Sequence, residues 1–382
     1  MKIAIMNFHY AYNYGAVLQC TALKQTLENL GHEVEIINYK PFYQMQYYKS
    51  YPNPFKAAIV AMKKMKKDSA LARLSFSAKW FVRTILNYRN ANDRKELKNL
   101  FEPYLKRNFK QTQLYNTYGE LVKNPPKGFD AYICGSDQLW NPDVTWGIDP
   151  AYYLNFGEGV RHIAYAVSPC GLDCKKYSYE ISKAGNRLDS ISLREEEKRK
   201  ELLEIFKGKD ILVCPDPTLL LRSEDYSRYE EPIPEKEYIA FYGFDDRNNN
   251  KTLMNKAIQL SKLTNLTIID FSLDEFHWKY DKVEKVMVTP GEFLSYIKKG
   301  KYVVTNSFHG TVFSIIYNKE FYTLPKSGTS SRMVELLNRL GIERRILDND
   351  KKDDAELDYT VVNHNLKEYA LLGIDYLNSA LS

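Results

Sequence analysis

The sequence predicts an α/β protein: two Rossmann-like, doubly wound domains facing a cleft. Three observations carry that prediction. With 382 residues the chain is longer than one core ordinarily organises, so two domains are expected. Its first forty residues alternate an apolar strand, a helix and a second strand. The same alternation then starts afresh beyond a proline-bearing stretch at 222–236. The expected division is a first domain over 1–222, with a helical, basic insertion at about 41–125, and a second over 236–364. A final helix over 365–382 would cross back to the first domain.

In the first domain, residues 2–7 read as a buried parallel strand rather than a signal peptide, because the apolar run meets polar residues at once. Asn13-Tyr14-Gly15-Ala16 opens a helix with apolar spacing at Val17, Leu18, Leu23, Leu27 and Leu30. Gly31 ends it, and residues 33–39 form the next strand. In such a sheet, ligands sit beyond the carboxyl ends of the strands, which places Asn13 to Ala16 on the ligand side. A single glycine is not a dinucleotide fingerprint. Helical patterns follow around 55–66, 69–87 and 92–101. The strand 129–134 then meets Gly135-Ser136-Asp137-Gln138, read as a turn carrying three hydrogen-bonding side chains; ordinary turn chemistry is the plainer account. A strand at 161–167, a helix with Tyr179, Ile181 and Leu188, and a short strand at 190–193 lead to Arg194 and Glu195. Arg194 is either an anion ligand or an exposed charge. Residues 211–221 close the domain.

In the second domain, strands are expected at 238–244, 266–270, 284–288, 301–305 and 319–324, with helices near 250–263, 290–299 and 331–341. The last helix is approached through 327–330. The strand 301–305 runs into Thr305-Asn306-Ser307, which can cap the apolar helix after it and leave backbone N–H groups facing an anion. His309 sits at that helix start, as a proton donor, a proton acceptor, a phosphate contact or simply a packed imidazole.

Composition narrows the field. A net charge of +6 does not require nucleic acid. Five scattered cysteines form no metal-ligand pattern and fit free thiols in a reducing compartment. No apolar run reaches the roughly 20 residues a membrane span needs, so a cytoplasmic protein is expected. Thirty tyrosines suit sugar binding, though semi-buried packing is the ordinary account. Residues 56–107 are basic, with Lys63-Lys64-Met65-Lys66-Lys67 at their centre. A solvated helical face is the common explanation of such a run; a membrane surface or an anionic polymer is the other.

Read together, several short stretches resemble the polysaccharide pyruvyl transferases. They are Asn13-Tyr14-Gly15-Ala16, Gly135-Ser136-Asp137-Gln138-Leu139-Trp140-Asn141, Ser192-Leu193-Arg194-Glu195, Asp216-Pro217-Thr218-Leu219-Leu220 and Thr305-Asn306-Ser307-Phe308-His309-Gly310. Their joint order is more specific than any one of them. The resemblance implies two Rossmann-like domains arranged as in GT-B glycosyltransferases. It also implies transfer of the pyruvyl group of phosphoenolpyruvate onto a sugar of a surface polysaccharide or its lipid-linked precursor, forming a ketal and releasing phosphate. No metal or dissociable cofactor is implied. The partners implied are phosphoenolpyruvate and a sugar or lipid-linked oligosaccharide, with no nucleic acid and with contact at the inner face of a membrane as an open expectation.

On that resemblance His309 is the active-site histidine, in acid/base work or phosphate binding, and Asp137 or Glu195 orients or deprotonates the acceptor hydroxyl. Asn13, Gly15, Ser136, Gln138, Arg194, Ser307, Gly310 and Arg332 are expected to bind substrate. Arg194 and Arg332 are the candidates for the donor's anionic groups, since guanidinium matches carboxylate and phosphate. One position departs from the family: Ser307 stands where many members carry arginine, and Arg332 is the evident replacement. A GT-B glycosyltransferase using a nucleotide-sugar is the alternative enzyme, although the sequence offers no clear acidic ribose anchor. A non-catalytic binding protein of a glycan-assembly complex is the alternative outside catalysis.

Overall fold

The computed structural model describes residues 1–48, 52–64, 69–86, 91–244, 247–273, 278–325, 331–347 and 355–382. The expectations that fall on 65–67 of the basic run and on 327–330 lie outside the described residues. The chain forms two compact units, the first of Met1–Pro217 with Ile374–Ser382, the second of Thr218–Gly373.

The first unit is built on a six-stranded parallel sheet. Its strands are β1 (Lys2–Met6), β2 (Glu33–Ile36), β3 (Ala131–Asp137), β4 (Arg161–Val167), β5 (Ser190–Leu193) and β6 (Ile211–Val213), in the order β2-β1-β3-β4-β5-β6. The central strands are apolar on both faces because helices cover both, as parallel sheets require. Strand order reverses between β1 and β3, which leaves a crevice at their carboxyl ends. The helix Tyr14–Asn29 that follows β1 is buried along nearly its whole length.

The second unit repeats the plan with β7 (Tyr238–Tyr242), β8 (Thr267–Asp270), β9 (Val283–Lys285), β10 (Tyr302–Thr305) and β11 (Glu320–Thr323). Their order is β11-β10-β7-β8-β9, again all parallel. Here the order reverses between β7 and β10, and the helix Phe308–Ile316 leaves from the carboxyl end of β10. Both units are therefore Rossmann-like.

Several elements differ from the expectations. Gly135, Ser136 and Asp137 are not a turn: β3 runs through them, because Gly135 and Asp137 pair with Tyr165 and Val167 of β4. Residues 222–236, expected to lie between the domains, belong to the second unit. Tyr226 is buried edge-on against Phe313, and Glu230 and Glu231 bond to Lys298, Thr289 and Ser295, so the stretch is packed into the second unit. The helix expected at 92–101 continues through Pro103 to Asn108, held by buried Phe101, Tyr104 and Leu105. The strand expected over 284–288 stops at Lys285, since Thr289 already caps the Pro290–Lys299 helix. The final helix begins at Tyr359, and its last turns belong to the first unit, where Tyr376 Oη donates to Ala164 O at 2.9 Å. Many tyrosines are packing residues: Tyr39 and Tyr43 both donate to the buried carboxylate of Asp149.

Candidate functional site

In the first unit, polar side chains gather along the carboxyl edge of the sheet. Asn13 caps the helix after β1 by accepting from Ala16 N at 3.1 Å. In the second turn of that helix, Gln19 Oε1 accepts from Ser136 N at 2.9 Å, which ties the helix to β3 across the point of reversal. Gly15 lies in the buried first turn. Gly135 is required where it is: its φ is +134°, and a Cβ there would meet Tyr165 O at 2.0 Å. Asp137 is a non-glycine residue in the left-handed region, with φ of 77°. Such conformations collect at functional sites because the surroundings must over-determine them. Its Oδ1 accepts from Gln138 N at 2.9 Å, and the Gln138 side chain in turn accepts from Asn141 Nδ2 at 2.7 Å.

Arg194 organises this edge from beneath. It is neither an exposed charge nor a group open to solvent: its side chain is 2% exposed. Nε and one terminal nitrogen donate to Ser136 Oγ at 3.1 and 2.7 Å. That same nitrogen lies 3.1 Å from Asp216 Oδ2 and 3.8 Å from Asp137 Oδ1. Asp216 is equally buried, so the pair balances charge in a low-dielectric site. Glu195 is buried too, and Ser168 Oγ donates to its Oε1 at 2.6 Å. The structure thus brings Asn13, Ser136, Asp137, Gln138, Arg194 and Glu195 to one sheet edge.

Two residues at this edge escaped the sequence reading. Asn7 and His9 follow β1 directly and are wholly buried, and neither side chain makes a hydrogen bond among the described residues. The Asn38 side chain and the Asn7 backbone stand near the His9 ring without reaching hydrogen-bonding geometry with its nitrogens. Burial, with Lys40 adding to it, pushes the His9 pKa down to about 3, so this imidazole is neutral at physiological pH. The available signal was position: both residues lie just past the carboxyl end of the strand at the reversal.

In the second unit, Ser307 caps the Phe308–Ile316 helix by accepting from Gly310 N at 3.3 Å. Thr305 Oγ1 accepts from Ser307 N at 3.1 Å and donates to Tyr242 O at 2.7 Å, fixing the corner against β7. Gly310 has a packing reason: a Cβ would meet Thr305 Oγ1 at 2.5 Å. His309 is mostly buried in the first turn of the helix, its ring edge-on to Phe308 at 5.2 Å. The Arg332 guanidinium lies 5.5 Å from the centre of the same Phe308 ring, and its buried Nε makes no hydrogen bond among the described residues. Ser307, His309, Gly310 and Arg332 therefore converge at the second unit's reversal.

The structure also supplies the acidic residue that the sequence reading did not find. Asp270 ends β8, the strand beside β7, where dinucleotide-binding folds place a ribose anchor. Its carboxylate is already engaged by Ser272 N at 2.9 Å, Trp278 Nε1 at 3.0 Å and Lys285 Nζ at 3.3 Å. The loop after β7 is likewise held from inside, with Phe244 N donating to Asn306 Oδ1 at 2.6 Å. Among the described residues no cluster of His, Cys, Asp and Glu could hold a metal ion.

The chain is thus built from two Rossmann-like units, each with polar and ionisable side chains collected where its strand order reverses, and with a histidine at one helix start. A family model described as polysaccharide pyruvyl transferase matches residues 13–326, which includes every motif named above. The chain belongs to the polysaccharide pyruvyl transferase family. No curated protein matches it. Among solved structures it is similar to a glycotransferase of kitacinnamycin, with 13% identity, 99% of this chain and 97% of that one covered, and a TM-score of 0.45. It is also similar to an α-glucosyltransferase in complex with UDP and a 13-mer DNA (10% identity, 100% and 95% covered, TM-score 0.48). A third likeness is to a putative UDP-N-acetylglucosamine 2-epimerase from Listeria monocytogenes (10% identity, 100% and 89% covered, TM-score 0.47).

Proposed function

We propose that this pyruvyl transferase takes phosphoenolpyruvate as donor and forms a ketal on a sugar of a surface polysaccharide or its lipid-linked precursor, working in the cytoplasm. The observation that carries the donor assignment is the corner of the second unit. A capped helix start, a histidine in its first turn and the Arg332 guanidinium meet around one aromatic ring. A helix N-terminus and a guanidinium both favour a phosphate or carboxylate.

The chemistry asks for little else. One sugar hydroxyl adds to C2 of the enol phosphate while a proton is delivered to the methylene carbon, which becomes a methyl group. Loss of phosphate then leaves an oxocarbenium centre that the second hydroxyl closes to the ketal, its proton passing to the released phosphate. His309 is the proton donor to the methylene carbon, and Arg332 holds the departing phosphate, the task that arginine at position 307 would otherwise perform. In the first unit, Asp137 takes the proton of the attacking hydroxyl. It is the most exposed carboxylate of that edge, at 18%, whereas Glu195 is buried on Ser168. Ser136, Gln138 and Asn13 form the polar surface for the sugar. Arg194 is a positioning residue rather than a ligand, because its guanidinium holds Ser136 and Asp216.

The internal bonds of Asp270 and of the loop after β7 speak against the nucleotide-sugar alternative, since a ribose would have to displace Trp278 and Lys285. The test is direct. The protein is incubated with phosphoenolpyruvate or with UDP-sugars and a panel of galactosides and N-acetylhexosamines, and phosphate release and product mass are followed. The proposal requires the sugar to gain the mass of pyruvic acid less one water. Transfer of a hexose would overturn it, and the absence of any product with every donor would favour a binding protein.

A further inference from the structure

Two helices of the segment inserted after β2, Pro54–Lys64 and Ala70–Leu86, pair as a hairpin, with Ser77 Oγ donating to Ala58 O at 2.9 Å. The second helix has a buried face of Ser77, Trp80 and Thr84, and Trp80 packs on Trp146 at 4.2 Å, anchoring the hairpin in the first unit. The opposite face is where a solvated helix would carry charge. Instead it presents Leu71, Leu74, Ala78, Val82 and Ile85, at the spacing of a single helical stripe. Leu71, Leu74 and Val82 are 81, 63 and 54% exposed. On the first helix Phe55, Ile59 and Met62 form a second exposed stripe at the same kind of spacing, and Phe55 meets Phe81 edge-on at 5.1 Å, joining the two. Lys79 and Arg83 border the longer stripe on one side.

We propose that this hairpin face seats on a bilayer surface that carries anionic lipid. An apolar stripe with cations along its border is the pattern of a helix lying in the interface plane, with its apolar side chains among the acyl chains and its Lys and Arg at the headgroups. Charge decides between occupants. Among the described side chains of residues 54–86, the ionisable ones are all cationic: Lys56, Arg73, Lys79 and Arg83. A second copy would bring like charge against like charge, whereas an anionic surface complements it. On the second helix of the hairpin the exposed face is largely apolar, whereas Ala91–Asn108 exposes charged side chains such as Asp93, Lys95 and Glu96. No helix among the described residues is long and apolar enough to cross a membrane, so the contact is peripheral.

The test uses the full chain, sedimented with vesicles of phosphatidylcholine alone or of phosphatidylcholine mixed with phosphatidylglycerol, at low and high salt. The expected result is sedimentation with the mixed vesicles, weakened by salt. Binding should fall about tenfold or more in Leu74→Glu/Val82→Glu and in Lys79→Glu/Arg83→Glu, with circular dichroism and Tm unchanged. The milder Leu74→Ser/Val82→Ser pair gives the same reading if the glutamate pair misfolds. Absence of binding to mixed vesicles, or binding untouched by these substitutions, overturns the proposal. So does a dimer that dissolves in the Leu74/Val82 variants while the parent ignores vesicles. Pyruvyl transfer to a soluble sugar, measured on the same preparations, should be unaffected, which separates failure of this proposal from failure of the reaction assigned above.

Discussion

The two arginines expected to hold the donor stand in opposite circumstances. Arg194 is sealed into the first unit, with Ser136, Asp216 and Asp137 around its guanidinium. Arg332, in the second unit, lies on the face of Phe308, and its buried Nε makes no hydrogen bond among the described residues. The same side chain is bound to a carboxylate in one place and laid on an aromatic ring in the other. What separates them is the neighbouring carboxylate. A guanidinium buried beside an aspartate is electrically satisfied before any substrate arrives, whereas one on an aromatic ring retains donors for an incoming anion.

That contrast can be broken in a graded way. The largest effect belongs to His309→Ala, expected to lower kcat/KM for phosphoenolpyruvate by about 10²–10⁴ while unfolding free energy changes by no more than about 2 kcal/mol. A large loss of stability with turnover retained would return His309 to packing. Arg194→Ala should act on the fold: it strands Asp216 in a dry site and costs about 3–5 kcal/mol, read as a fall in the urea midpoint. If Arg194→Ala instead left stability intact and raised KM for the donor, the structural reading would be wrong. Arg332→Ala should show the reverse pattern, an unchanged Tm with KM for phosphoenolpyruvate raised about tenfold or more, the equivalent of a charge-assisted bond worth about 1.5–3 kcal/mol.

The smallest effect concerns His9. Its pKa in the folded state, about 3, lies below the ordinary 6.5, so the unfolded chain takes up the proton first. The contribution is therefore fully present above the unfolded value and is lost as pH falls below it, about 2 kcal/mol by pH ~5. His9→Gln should flatten that part of the stability profile between pH ~7 and ~5. Profiles that superimpose would show that the ring is protonated or solvated in the native protein.

The division between what the sequence told and what it withheld follows physical range. Strand and helix periodicity is local, so both Rossmann-like sheets and the helix starts at Asn13 and Ser307 could be read directly. Partners distant in sequence could not. Nothing in Ser192-Leu193-Arg194-Glu195 says that Asp216 will lie against the guanidinium, and so Arg194 reads as a ligand until β5 and β6 are paired. The polar run Gly135-Ser136-Asp137 resembles a turn because its residue types favour turns, yet pairing with β4 draws it into the sheet. Asp270 was overlooked as a ribose anchor because its meaning depends on strand order, as does the answer that Trp278 and Lys285 already occupy it. The hairpin's apolar stripe was hidden for another reason: charge counts are visible along a sequence, whereas which face a hairpin leaves uncovered is set by where Trp80 finds Trp146.

Residues Ile374–Ser382 belong to the first unit, although the whole of the second unit is encoded before them. The order of synthesis therefore differs from the order of completion. The second unit has all its residues once Gly373 has left the ribosome. The first, whose strands were made long before, still waits for Tyr376 to reach Ala164 and for Arg161 to donate to Ser382 O. A nascent chain arrested before residue 374 would present a finished later half and an unfinished earlier one. Loss of residues 374–382 would accordingly be felt at β4.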